Sequence, residues 1–256
     1  MTQPNVVSRQ AWLEARTKLL VKEKEFSRQR EDMTALRQKL PWYRVDKEYQ
    51  FDGPHGKRSL HDLFGAQSQL LVYHFMFGPD WSAGCPICSM IADHYDPLVT
   101  HLKARDVSLV TVSRAPIESL TAYQQRMGWN FEWASSLHTD FNQDFRVSFT
   151  QQEKDEGTMD YNYGLGSFPS LECPGISSFI RNDEGDVFHT YSAYARGLEN
   201  LLGIYSFLDI VPKGRDEAEL PFSMAWVRRH DSYDDNSHPD ALVELGNQSQ
   251  SARPGS

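Results

Sequence analysis

Apolar positions recur along residues 8–39 at helical spacing. Trp12, Leu19, Leu20, Phe26, Met33 and Leu36 stand among Lys, Arg and Glu, which predicts one long amphipathic helix. Ser8 supplies an N-cap, Glu14 and Lys18 an i,i+4 pair, and Pro41 a stop. Such a helix suits either its own domain's surface or a partner, a second copy of the chain among them. Alternating Tyr43, Val45, Tyr49 and Phe51 then predict strand from Trp42 to Phe51, and residues 52–57 carry turn chemistry. A helical turn is expected at residues 59–64, and a strand at the apolar run Leu70–Phe75.

Further on, residues 86–103 read as a helix with Met90, Ile91, His94, Leu98 and Leu102 on one face and Pro97 as a point of kinking. Val107–Ser113 has the composition of a buried strand. Pro116 opens a helix over 117–127 that Gly128 closes, and a short strand is expected at 131–135. Strands alternating with helices predict an α/β fold with a partly parallel central mixed sheet flanked by helices.

Residues 150–172 read as an insertion, polar at first and then aromatic and glycine-rich around Tyr161–Gly166. Tyr161, Tyr163 and Phe168 there suit an aromatic lid or the insertion's own small core. Residues 176–181 and 186–191 form a hairpin turned by Asn182–Gly185, and residues 195–208 a last helix. Met224–His230 suits docking on the core, and disorder is expected after about Asp231. The organisation is therefore a helical extension over 1–41, a main domain over 42–211 and a C-terminal extension over 212–256.

Composition narrows the function classes. The 256-residue chain carries a formal charge of −9 with 12% aromatic residues. An acidic chain without a basic stripe argues against nucleic acid as a partner. No run of about 18 apolar residues suggests a membrane span. The first residues lack a charged-then-apolar signal pattern, so the expected compartment is the cytoplasm.

That expectation sharpens the meaning of three cysteines. A structural disulfide framework is not expected in a reducing compartment, whereas Gly84-Cys85-Pro86-Ile87-Cys88 follows a strand and loop and precedes a helix. If the helix begins at Pro86, Cys85 is its N-cap, where free amides and the helix dipole favour a thiolate. Thiol pKa values at such positions fall from about 8.5 into the range of about 3.5–7.5. Cys88, three residues on, lies on the same face and within disulfide reach. Three alternatives stand: thiol chemistry, a metal site, or no redox role. A zinc site would need two further ligands, with Cys173, His94 and His74 the nearest candidates. Asp80 and Trp81 would line the approach, His74 on the preceding strand could stabilise a thiolate if protonated, and Arg114 falls at the carboxyl edge of the next strand, where sites in open α/β sheets form.

The chain resembles peroxiredoxin-type thioredoxin folds in Val110–Ser113, Glu118–Leu120, Gly128–Phe131 and the 178–187 hairpin. More closely, residues 6–235 resemble the thioredoxin-like "domain of unknown function 899" family. The marks are Leu40-Pro41-Trp42, His74–Trp81, Gly84–Cys88, Pro174–Ser177, His189-Thr190-Tyr191 and Met224–His230. The resemblance implies a thioredoxin-like fold. It also implies that the loop before the closing hairpin, Cys173-Pro174-Gly175, lies against the active cysteines, with Pro174 about two places before the family's usual cis-proline. Cys173 then becomes a third redox or metal partner, or a buried free thiol.

Departures from the better-known relatives matter. Gly84 stands where thioredoxins carry Trp. The Pro and Thr/Ser that precede a peroxidatic cysteine find Trp81 and Cys85 counted from Cys88, and Gly78 and Ser82 counted from Cys85. The leading expectation is thiol–disulfide exchange by Cys85 and Cys88 with no bound cofactor. The partner would be a dithiol or disulfide protein or a small thiol, with electrons from another dithiol. A thiol peroxidase and a non-enzymatic binding module are the alternatives.

Overall fold

The structure, a computed structural model, describes residues 5–234. The expected tail beyond Asp234 lies outside the described residues. The chain divides into two units, Met1–Trp42 and Tyr43–Ser256. In the first, helix α1 spans Arg9–Arg37, and Ser8 Oγ accepts from the Ala11 amide at 3.2 Å. Helix α1 has no buried residue, and Trp12, Leu19, Phe26 and Met33 are all exposed.

The second unit is built on an eight-stranded sheet. The expected strand over 42–51 is instead two short ones, β1 (Tyr43–Arg44) at one edge of that sheet and β2 (Gln50–Gly53) next to the opposite edge. Polar Asp46, Lys47 and Glu48 interrupt them, and Lys47 reaches Asp140 and Asp144. Strand β3 (Gly56–Ser59) pairs with β2, and β4 (Gln69–His74) forms the centre.

Next come α2 (Pro86–Tyr95), α3 (Val99–Lys103), β5 (Val107–Ser113), α4 (Ile117–Met127) and β6 (Glu132–Ser135). The single helix expected over 86–103 is broken by a 3-10 turn at Asp96–Leu98, because Pro97 has no N–H for the helical ladder. Gly128 ends α4 in the left-handed conformation, φ 68°, as a helix-closing glycine does.

Two short helices, α5 (Phe141–Asp144) and α6 (Gln151–Glu156), precede the hairpin of β7 (Met159–Tyr161) and β8 (Gly164–Gly166). A reciprocal capping box of Thr150 and Glu153 starts α6. Asn162 and Tyr163, both at positive φ, turn the hairpin. The chain finishes with β9 (Gly175–Arg181), β10 (Val187–Tyr194) and α7 (Gly203–Leu208). A 3-10 segment over Ala195–Leu201 replaces the first half of the expected last helix.

The sheet order is β1-β10-β9-β4-β5-β6-β2-β3. Strand β4 runs parallel to β5 and antiparallel to β9, and β9 pairs with β10 as an antiparallel hairpin. A βαβ unit joined along its central strand to a β-hairpin is the core of a thioredoxin-like fold. Tyr73, Phe75, Leu109 and Trp133 pack on one face with α2 and α4. Phe51, Leu70, Val72, Val110, Phe141 and Phe179 pack on the other. This two-sided burial is why β4 has a continuous apolar stretch, Leu70–Tyr73, and why the polar residues of β5 are small hydroxyl side chains, Ser108, Thr111 and Ser113. No helix among the described residues is long and apolar enough to cross a membrane.

Candidate functional site

The site forms where β4 runs out. Past His74 the chain loops through Phe75–Gly84 and returns, with the Cys85 amide donating to Met76 O at 3.0 Å. Cys85 is the N-cap of α2 (φ −55°, ψ 131°) and Pro86 its first helical residue, as the sequence predicts. The Ser89 amide donates to Cys85 O at 2.9 Å, closing the first helical turn.

Gly84 has a packing reason. A Cβ there would lie 2.5 Å from Phe75 Cε1 and 3.0 Å from Tyr123 Cε1. Both rings are buried against the cysteine loop, so the bulky residue that thioredoxins carry at this position has no room.

Both thiols are buried, Cys85 at 2% exposure and Cys88 at 1%, and all three cysteines are free. The two neighbours differ in acidity. The Cys88 thiol, hydrogen-bonded to the Cys85 sulfur, holds Cys85 below an ordinary thiol. Burial opposes this, while the Cys88 and Ile87 amides and the Arg229 guanidinium add to the lowering. The Cys85 sulfur makes no capping hydrogen bond of standard geometry, so the adjacent thiol rather than the helix end is the leading cause. Cys88 is pushed well up, first by burial and then by its bond to Cys85. Tyr73, fully buried on β4, faces Cys88 and acts to lower it.

The cation comes from far along the chain. Arg229 is 5% exposed and donates from Nη2 to Gly84 O at 2.8 Å and from Nε to Tyr123 Oη at 3.0 Å. Tyr123 and Ser89 hydroxyls meet at 2.9 Å, and Ser89 donates to Cys85 O at 2.8 Å. One network thus ties the C-terminal segment, α4 and the first turn of α2 to the backbone on either side of the Cys85 sulfur.

The thiols border a cavity of about 290 Å³. Met76, Ile87, Ile91, Leu198, Leu202 and Met224 give it an apolar wall. Arg196, Glu199, Arg215 and Ser223 supply its polar lining. A larger, polar cleft of about 400 Å³ beside Arg44–Gln50 and Gly185–Val187 holds no thiol.

The residues singled out from sequence separate into two groups. Pro174 joins Cys85 and Cys88 at the cavity, and the Tyr161 hydroxyl fixes it by donating to Pro174 O at 2.7 Å. The others go elsewhere. His74 points to the opposite face of the sheet, bonded to Ser177 and stacked on Phe141 and Phe145. Burial drives it down to about 3, so it is neutral and turned away from the thiolate it was expected to stabilise.

Arg114 pairs with the buried carboxylate of Glu172 at 3.1 Å, which also accepts from Ser148. Cys173 packs with Phe149 and Met159 in a separate cluster, and burial raises its thiol; it does not line the cavity. Trp81 leans over Gly78 and packs partly against the core, and Asp80 is exposed. His94 bonds Met90 O and the Ile204 amide. The three further zinc ligands considered from sequence therefore lie in three different surroundings.

Sequence reasoning missed Tyr73, Tyr123 and Arg229. Tyr73 was legible from strand alternation, since it lies on the opposite face from His74. Arg229 sits inside the Met224–His230 string, whose docking was expected without a role for that side chain.

The chain is similar to the peroxidoxin BcpB of Mycobacterium tuberculosis, at 14% identity and a TM-score of 0.43, covering 64% of this chain and 94% of the other. It is similar to peroxiredoxin Q of Xanthomonas campestris, at 14% and 0.41, covering 60% and 87%. Thioredoxin peroxidase I of Plasmodium yoelii matches at 16% and 0.39, covering 66% and 88%. No curated protein matches the chain. The family described as "Bacterial protein of unknown function (DUF899)" matches residues 1–233, and the chain, with its cysteine loop, α/β core and Arg229 segment all inside that span, belongs to it.

Proposed function

We propose that the protein is a dithiol–disulfide oxidoreductase in which Cys85 attacks and Cys88 resolves. The observation that carries this is the split between two adjacent thiols at the same cavity, Cys85 lowered and Cys88 raised. The thiolate is the nucleophile in disulfide exchange. Cys85 as thiolate attacks a disulfide sulfur and forms a mixed disulfide. Cys88, held protonated until then, loses its proton and attacks the Cys85 sulfur, releasing the substrate thiol and leaving a Cys85–Cys88 disulfide. An external dithiol returns the pair to the reduced state.

The test is a redox titration in thiol–disulfide buffers, with alkylation and mass spectrometry at each potential. A single two-electron transition assigned to Cys85–Cys88, lost in Cys85→Ser and in Cys88→Ser and kept in Cys173→Ser, is expected. Thiols that stay reduced at every potential would refute the assignment. A peroxidase is the second reading, favoured by the seclusion of Cys85, which admits a small oxidant more readily than a large one. Rapid peroxide consumption that requires Cys85, with a sulfenic acid trapped in Cys88→Ser, would select it.

A further inference from the structure

We infer that the disulfide reduced at this site belongs to a small molecule with an apolar body rather than to a protein. The inference rests on the dithiol–disulfide assignment above and narrows its substrate. Thiol–disulfide exchange needs the attacking sulfur in contact with its target, yet Cys85 is 2% exposed. Access is through the 290 Å³ cavity, whose volume equals about ten waters. That space admits a small ring or a short alkyl chain on the target sulfur. It does not admit a disulfide flanked by two folded polypeptide segments.

One wall of the cavity is braced. Glu217 Oε1 accepts from Tyr205 Oη at 2.7 Å, from the Met224 amide at 2.9 Å and from Trp226 Nε1 at 2.7 Å. One carboxylate oxygen thus pins the strap that carries Met224 onto α7. Arg215 stacks on Tyr205 at 4.0 Å and pairs with Glu199 and Asp209, which holds the 3-10 segment to the same strap. Arg196 and Ser223 are the exposed lining residues and mark the opening. Inside it the lining is mostly carbon, suited to an uncharged organic group.

Reduction proceeds in two exchanges. Cys85 thiolate attacks one sulfur of R–S–S–R; that S–S bond breaks, Cys85–S–S–R forms, and RS⁻ leaves and takes a proton from water. Cys88 gives its proton to solvent and attacks the Cys85 sulfur, expelling the second RS⁻. The small disulfide gains the two electrons that the thiolate–thiol pair gives up, and the two released RS⁻ take their protons from water and from the one that Cys88 gives to solvent. An external dithiol restores the protein.

The experiment uses the full-length reduced protein and three disulfides: 4,4′-dithiodipyridine, oxidised glutathione and insulin. The rate of Cys85–Cys88 disulfide formation is read by acid quench, alkylation and mass spectrometry. Each rate is divided by that reagent's rate with a free small thiol at the same pH. Dithiodipyridine is expected to lead insulin by at least 100-fold after this correction, with oxidised glutathione between them. Ser223→Trp, at an exposed position on the rim, is expected to cut the dithiodipyridine rate at least tenfold while the melting temperature stays unchanged. Insulin within threefold of dithiodipyridine, or no change in Ser223→Trp, would overturn the small-molecule assignment while leaving the dithiol chemistry standing. Absence of a Cys85–Cys88 disulfide with dithiodipyridine would instead refute the oxidoreductase assignment on which it rests.

Discussion

Strand β4 delivers buried polar side chains to both faces of the sheet, and the two faces handle them in opposite ways. On one face His74 Nε2 meets Ser177 Oγ at 2.8 Å, Ser177 meets Ser192 at 2.7 Å, and Ser192 meets His189 Nε2 at 2.7 Å. Burial drives His74 to about 3 and His189 to about 4. Neither imidazole is therefore charged near neutral pH. On the other face, Tyr73 borders a thiol pair in which one member is made acidic by the other, with the Arg229 cation adding to the effect. Low polarity is common to both. What differs is the compensation: burial decides the imidazoles, which stay neutral among hydroxyls, whereas a hydrogen-bonding thiol and a cation offset burial and keep one sulfur ready to ionise.

The sharpest way to break that contrast is to remove the cation. Arg229→Met withdraws charged hydrogen bonds from Gly84 O and Tyr123 Oη and is expected to cost about 3 kcal/mol in denaturant unfolding. It should also raise the pH at which Cys85 reacts with iodoacetamide. An unchanged alkylation profile would remove Arg229 from the electrostatics and leave it a purely structural tie.

Next comes the loop itself. Gly84→Ala drives a methyl into Phe75 and Tyr123 and is expected to cost about 2 kcal/mol through overpacking, with slower Cys85 reaction because the loop must shift. Full stability and reactivity in this variant would contradict the packing account.

A smaller effect sharpens the other face. A histidine whose folded pKa is depressed binds a proton more readily in the unfolded chain. The stability it contributes is complete above about pH 6.5 and is lost as pH falls towards the folded value. For His74 that window runs from about 6.5 down to about 3. Between pH 7 and pH 5 it accounts for about 1–2 kcal/mol of lost stability. In His74→Gln that part of the acid loss should vanish, while Cys85 reactivity stays as in wild type. An unaltered acid slope would show that the imidazole is not held neutral.

Much of this architecture is legible in the chain, and the misses have physical causes. The apolar runs at Leu70–Phe75 and Val107–Ser113 identify the central parallel pair, and Cys85-Pro86 identifies a helix start. The 42–51 stretch misleads, because alternation alone cannot show that Asp46–Glu48 turns one apparent strand into two in opposite halves of the sheet. His74 misleads in another way: nearness in sequence to the cysteines counts for less than strand parity, which turns it to the far face. Arg114 has the right charge at the right sheet edge, but the buried Glu172 carboxylate engages it. Arg229 supplies the cation from 144 residues beyond Cys85, a closure that local pattern does not encode. Cys173 lies one residue before Pro174, yet its side chain enters the Phe149–Met159 cluster.

The central claim is that Cys85 is the ionisable nucleophile of this family member and that the other two thiols are not. The direct measurement is the pH dependence of iodoacetamide modification of each cysteine in the reduced wild-type protein, resolved by peptide mass spectrometry. The account predicts that Cys85 is modified at the lowest pH, with Cys88 and Cys173 following only above the ordinary thiol range. Modification of Cys88 or Cys173 before Cys85 would contradict it.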